Sequence, residues 1–83
     1  MKVRLLFFAA VRERMRAAEM VRELAGPTTV EALWHQLQRE HPSLADIRVA
    51  IAFALNREYV DSKTMVHDND EVAFIPPVSG GSA

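Results

Sequence analysis

Cysteine is absent from these 83 residues, which excludes a disulfide framework, a thiolate zinc site, an iron–sulfur cluster and a cysteine nucleophile. Neither sign of charge dominates. Ten basic residues stand against eleven acidic ones, a net charge of −1, so the chain does not read as a generic nucleic-acid binder. Long apolar runs are also missing. Leu5 to Val11 is only seven residues long, against roughly eighteen for a membrane span. It leads straight into Arg12-Glu13-Arg14 with no small-residue cleavage site, so it does not read as a secretory signal either. These readings set the chain in the cytoplasm, away from membranes. Glycine is scarce, with three residues, two of them adjacent at Gly80-Gly81.

A chain of this length has room for one core and buries about 60–65% of the surface its unfolded form exposes. A spacious internal active site is not expected, and chemistry belongs on the surface, on a tail or at a joint with a partner. The side chains agree. His35, His41 and His67 lack metal-ligand spacing, and the first two, six apart on one helix, point to different sides. Asp68, Asp70 and Glu71 lack the rest of a calcium-loop pattern and read as an acidic turn. Ser43, Ser62 and Ser79 have no triad context, and no glycine-rich loop offers a phosphate cradle. Charge is uneven along the chain: residues 1–25 carry six basic and three acidic side chains, residues 26–83 four and eight. The basic knot Arg12, Arg14, Arg16 reads as a solvated turn.

What is present is a 49% hydrophobic chain with clear periodicities. Val3 to Ala9 reads as a strand with Val3, Leu5 and Phe7 on one face and Arg4, Leu6 and Phe8 on the other. That second face is too apolar for plain solvent and calls for another layer or a partner. Val11, Met15 and Ala18 suggest a short helical turn over 11–18, and Glu19 to Leu24 alternates as a second strand closed by Gly26-Pro27. Residues 28–41 predict the main helix, with Thr28 and Glu31 at capping-box spacing and Val30, Leu33, Trp34 and Leu37 on one stripe. Pro42 ends it. Val49 to Leu55 alternates large and small, with the large set expected toward the helix and the alanines outward or allowing close approach. Asn56-Arg57 offers a turn before Glu58-Tyr59-Val60, and Glu71 to Ile75 is the last strand, stopped by Pro76-Pro77. One helix on one face of a mixed sheet is an α+β roll.

After the prolines the side chains shrink abruptly, through Val78-Ser79-Gly80-Gly81-Ser82-Ala83. A segment without bulk can thread a narrow channel and bring backbone atoms to another protein's active site, since glycine leaves nothing at Cα to block approach. A plain frayed terminus is the other reading of the same residues.

Four strings together resemble one family. They are Leu6-Phe7-Phe8-Ala9-Ala10-Val11-Arg12-Glu13, Thr29-Val30-Glu31-Ala32-Leu33, Leu55-Asn56-Arg57-Glu58-Tyr59-Val60, and Asp70-Glu71-Val72-Ala73-Phe74-Ile75-Pro76-Pro77-Val78-Ser79-Gly80-Gly81. Over essentially its whole length the chain is similar to the small subunits of molybdopterin synthase, ubiquitin-like sulfur carriers; the last string is the most characteristic. The resemblance implies a β-grasp roll over residues 1–77, with one main helix on a mixed sheet of four to five strands, and a flexible tail over 78–83. It also implies a chemistry in which a ubiquitin-activating-type enzyme uses ATP and Mg²⁺ to adenylate the carboxylate of Gly81. Sulfur then replaces the adenylate as a thiocarboxylate, and the large synthase subunit takes that sulfur to a pyranopterin precursor. The chain itself would bind no cofactor or metal. Gly81 is then the reacting residue and Gly80 its slender neighbour. Arg12 matches a family position that contacts the partner. Phe8, Ile75 and Pro76 are candidates for an apolar docking surface, although the family often has an aromatic residue where Ile75 stands.

Ser82-Ala83 departs from that pattern, because the family ends at the second glycine and Gly81 is here tied in a peptide bond. A zinc-dependent deubiquitinase-like protease that trims the tail, an expression remnant, or a paralogue that no longer carries sulfur are the three explanations. Alternative functions are sulfur carriage for thiamine, cysteine or tRNA thiolation, and service as a ubiquitin-like protein modifier.

Overall fold

In the computed structural model, which describes residues 1–47 and 50–77, the alternation of the first strand becomes a two-sided sheet. Strand β1 (Lys2–Phe7) turns Val3, Leu5 and Phe7 into the core and Arg4 and Leu6 outward. Helix α1 (Ala9–Met15) follows at once, with Val11 buried beneath it. It ends at Arg16 in the left-handed region (φ 57°), which turns the chain back into β2 (Glu19–Glu23). The helix thus starts and stops earlier than the 11–18 expected, because the Phe8 carbonyl already accepts from the Val11 and Arg12 amides. Arg14 ties its end to a 3₁₀ turn at Pro42–Leu44, donating to the Ser43 carbonyl (2.9 Å) and to Asp46. The basic knot is therefore partly a structural clamp.

A short strand β3 (Thr28–Thr29) leads into α2 (Val30–Glu40), which lays Val30, Leu33, Trp34 and Leu37 on the sheet. The remaining strands are β4 (Ala52–Leu55), β5 (Glu58–Val60), β6 (Met65–Val66) and β7 (Glu71–Ile75). The main sheet has the order β2-β1-β7-β4-β5, with β1 and β7 parallel and the other neighbours antiparallel. This is the expected roll: five strands, one main helix on one face. Phe74 is fully buried at its centre, with the rings of Trp34, Phe53 and Phe7 at 5.3, 6.0 and 6.3 Å. No polar or charged residue is buried among the described residues, so the interior offers packing and no chemistry.

The helix start differs from the expected capping box. Thr29, not Thr28, is the cap, and its Oγ1 accepts from the Ala32 amide at 3.1 Å. Thr28 is drawn into a two-residue ladder with Val66 in a small second sheet. The segment just before β6 satisfies other first-turn donors: the Val30 amide donates to the Thr64 carbonyl (3.0 Å) and that of Glu31 to the Ser62 carbonyl (3.2 Å). Glu31, released from capping, meets Lys63 Nζ at 3.1 Å. Strand β4 is shorter than the expected Val49–Leu55, and Arg48 and Val49 lie outside the described residues. Phe53 faces the core as expected, while Ala52 is exposed.

Candidate functional site

The face of the sheet turned away from α2 is assembled by register. Val21, Arg4 and Glu71 form one cross-strand row. Glu19, Leu6, Ala73, Ala54 and Tyr59 form the next. Ile75 pairs with Ala52 one step further, beside Phe8, which immediately follows β1. Strand β7 runs from Glu71 to Ile75, so this face grades from charged to apolar toward the end where the chain leaves through Pro76-Pro77.

Along this face, from Glu71 to Ile75, runs a shallow groove of about 390 Å³. Its apolar lining is Leu6, Phe8, Ala54, Tyr59, Ala73 and Ile75, and its rim is Arg4, Glu19, Arg57 and Glu71. The paired alanines Ala54 and Ala73 form its floor, each 7% exposed. Phe8 (43%) and Tyr59 (74%) stand open to solvent as its walls. Two large aromatic side chains in water, beside an apolar floor and a charged rim, are the composition of a protein-docking surface.

The rim is an ion-pair chain. Arg4 donates to Glu71 and its Nε lies 3.7 Å from Glu19, while Arg57 Nε lies 3.6 Å from the other Glu71 oxygen. The hydrogen bond from Arg4 holds the Glu71 carboxyl below the ordinary carboxylate range against a smaller opposing effect of desolvation, and the same bond raises Arg4. The Glu71 carboxylate is tied to guanidinium groups and is not poised as a proton donor. Among the described residues no three side chains are grouped to hold a metal ion.

The residues singled out from sequence fall in different places. Phe8 and Ile75 come together in the groove. Arg12 is exposed on α1, where it lines a separate open cleft with Ala9, Glu13, Arg16, Ala17 and Ala18. Pro76, expected on the docking surface, is buried. Its ring packs away from solvent and stiffens the strand's exit, so it presents little surface to a partner. Gly80 and Gly81 lie outside the described residues. The sequence reading missed Tyr59, Arg57 and the use of Ala54 and Ala73 as a floor. The outward alanines were visible in the alternation, but their meeting across two strands depends on register.

The family model described as the ThiS family matches residues 5–81. The molybdopterin synthase sulfur carrier subunit of Chlamydomonas reinhardtii is 41% identical over 83 residues, covering 98% of this chain and all of that one. The subunit of the same name from Mycobacterium tuberculosis is 40% identical over 81 residues, covering 96% and 98%. Among solved structures, SAMP1 of Haloferax volcanii, a small archaeal modifier protein, superposes with a TM-score of 0.82 at 25% identity, covering 98% of this chain and all of that one. In a complex of subunits 1 and 2 of molybdopterin-converting factor from Helicobacter pylori, the matching chain gives 0.67 at 24% identity, covering 98% and 100%. No helix of the described residues is long and apolar enough to cross a membrane.

Proposed function

The chain belongs to the ThiS family, and on that premise we propose that it is the sulfur-carrier subunit of a molybdopterin synthase. The observation that carries the reading beyond the relatives' names is the placement of the apolar groove. Its apolar part, at Phe8 and Ile75, lies where the last strand ends, so a protein seated on Leu6, Phe8, Tyr59 and Ile75 is well placed to receive Gly80-Gly81.

In this reading the small chain supplies a handle and a fuse while partners supply the catalytic pockets. The Gly81–Ser82 peptide bond is first hydrolysed by a trimming protease, freeing the Gly81 carboxylate. That carboxylate attacks the α-phosphorus of ATP on a ubiquitin-activating-type enzyme with Mg²⁺, expelling pyrophosphate. A sulfur donor then displaces AMP and leaves a thiocarboxylate. The step through the adenylate is needed because a carboxylate is a poor electrophile and AMP is a good leaving group. Seated on the large synthase subunit, the tail delivers sulfur to the pyranopterin precursor and water restores the carboxylate. Gly80 has no Cβ to obstruct entry. Arg12, away from the groove, adds a polar contact at the edge of the same assembly. The reading sets the protein in the cytoplasm, where its activating partner finds ATP.

The test is a reconstituted synthase assay with protein trimmed to Gly81. Trimmed Gly81→Ala is expected to fold and bind the large subunit but to transfer sulfur poorly; turnover equal to wild type would remove Gly81 from its role. A second reading, a modifier joined to lysines through isopeptide bonds, is favoured by the likeness to SAMP1. It predicts high-mass covalent adducts in cells that disappear when Gly81 is changed.

A further inference from the structure

We infer that Arg57 is a recognition residue of the groove, placed to pair with a carboxylate on the surface of the large subunit. The inference rests on the docking reading above and adds to it a specific cation and the chemistry it meets.

Leu55 pairs with Glu58, so Asn56 and Arg57 form a two-residue hairpin loop, and both have positive φ, 51° and 73°. Such a loop matches the twist of its strands but favours glycine at the second position, because a Cβ there crowds the following carbonyl. Asn56 is compensated for its conformation. Its backbone amide donates to the Glu71 carbonyl (2.8 Å), its Oδ1 accepts from the Glu71 amide (3.0 Å), and its Nδ2 donates to Asp70 (3.0 Å). Arg57 has no comparable return among the described residues. Its one ion-pair contact among the described residues is the 3.6 Å approach to Glu71, a carboxylate already hydrogen-bonded by Arg4. The Arg57 side chain is 86% exposed, and an open pair of that kind stabilises little.

A strained arginine with little internal return stands, moreover, at a particular place. It lines both the apolar groove and the adjoining polar cleft formed with Arg4, Asn56, Asn69 and Glu71. Arg4 is engaged between Glu19 and Glu71, which leaves Arg57 as the outer cation of the rim. The complementary group is a carboxylate, which the planar guanidinium fork grips in two-point fashion once the surrounding water is displaced. Arg57 lies beside Glu71 at the start of β7 and the chain leaves after Ile75 at its other end, with the groove between them. A protein that fills the groove therefore meets Arg57 at one end and the departing chain at the other.

The experiment compares Arg57→Gly, Arg57→Lys and Phe8→Ser with wild type, using the full chain and the large synthase subunit of the same organism. Calorimetry gives affinity, stopped-flow at several salt concentrations gives association rates, and thermal unfolding gives stability. Arg57→Gly is expected to raise the melting temperature by roughly 2–6 °C, through relief of strain in a small domain. The same variant is expected to weaken binding about three- to tenfold and to flatten the salt dependence of association, as loss of a rim charge does. Arg57→Lys keeps the charge and should keep the salt dependence. If Arg57→Gly binds as wild type while Phe8→Ser binds weakly, the inference falls and the groove reading stands. If neither affects binding, both fall. A fall in melting temperature for Arg57→Gly would make the residue structural and would also overturn the inference.

Discussion

The two faces of the sheet are made by alternate residues of the same strands, and they obey different rules. Inward, Val3, Leu5, Phe7, Val72 and Phe74 are closed off by α2, and every side chain there touches others of its kind. Outward, Arg4, Leu6, Glu71, Ala73 and Ile75 make a surface half charged and half apolar, ordered along the strands rather than mixed. The inner face is conserved in volume by packing: any change of shape is felt by neighbours at interior density. Among the described residues the outer face has no such neighbours. Its bulky side chains, Phe8 and Tyr59, stand 43% and 74% exposed. A residue's size and polarity therefore say little about its task until the face it occupies is known.

Substituting one aromatic from each face separates the two most sharply. Phe74→Ala empties the centre of a ring cluster with Trp34, Phe53 and Phe7 and should cost about 3–5 kcal/mol in urea or thermal unfolding. That is a large fraction of what a domain this small possesses. Phe8→Ser removes a ring that is already 43% exposed, so the melting temperature should move little. Its affinity for the large subunit should instead fall by at least about tenfold, the signature of an anchoring aromatic. A Phe8→Ser protein as unstable as Phe74→Ala, with unchanged affinity, would return Phe8 to the core and dissolve the contrast.

Much of this contrast was legible in the sequence. The two faces of β1 follow from alternation, and Leu6 with Phe8 marked the outer one as more apolar than solvent requires. The α2 stripe, β7 and the turn at Asn56-Arg57 follow from equally local signals. What was not legible is what depends on residues far apart in the chain. Two-residue strands such as β3 and β6 carry no periodicity; they exist because the first amides of α2 need the carbonyls of Ser62 and Thr64, about thirty residues on. The same demand moved the cap from Thr28 to Thr29. The groove floor required β4 to lie against β7 in the register that sets Ala54 opposite Ala73. Pro76 could be seen as a strand terminator, but its burial depends on packing that no local pattern encodes. Arg57 could be placed in a turn, yet nothing in an arginine announces positive φ.

The smallest expected difference between the faces is electrostatic. Glu71 on the outer face is held by Arg4, and Glu40 at the end of α2 is held by Arg22; both carboxyls lie below their ordinary range chiefly because of those hydrogen bonds. The sign follows from linkage. A carboxylate whose pKa is lower in the folded state stabilises it above the unfolded value, about 4.3 for glutamate, and loses that contribution as pH falls through the lowered folded value. Wild type should therefore gain stability over Glu71→Gln and Glu40→Gln as pH rises through the acid range, with the difference vanishing when both carboxyls are protonated. Both effects should be small, since each pair keeps one partner well exposed, Arg4 at 51% and Glu40 at 42%, and is screened by salt. They should respond differently to the partner. Bound to the large subunit, the Glu71 pair is partly withdrawn from water, whereas Glu40 stays on the opposite side of the molecule. Binding should therefore shift the Glu71 titration, read by NMR of the side-chain carboxyl, and leave Glu40 where it was. Equal behaviour of the two in the complex would mean that the groove does not cover its rim.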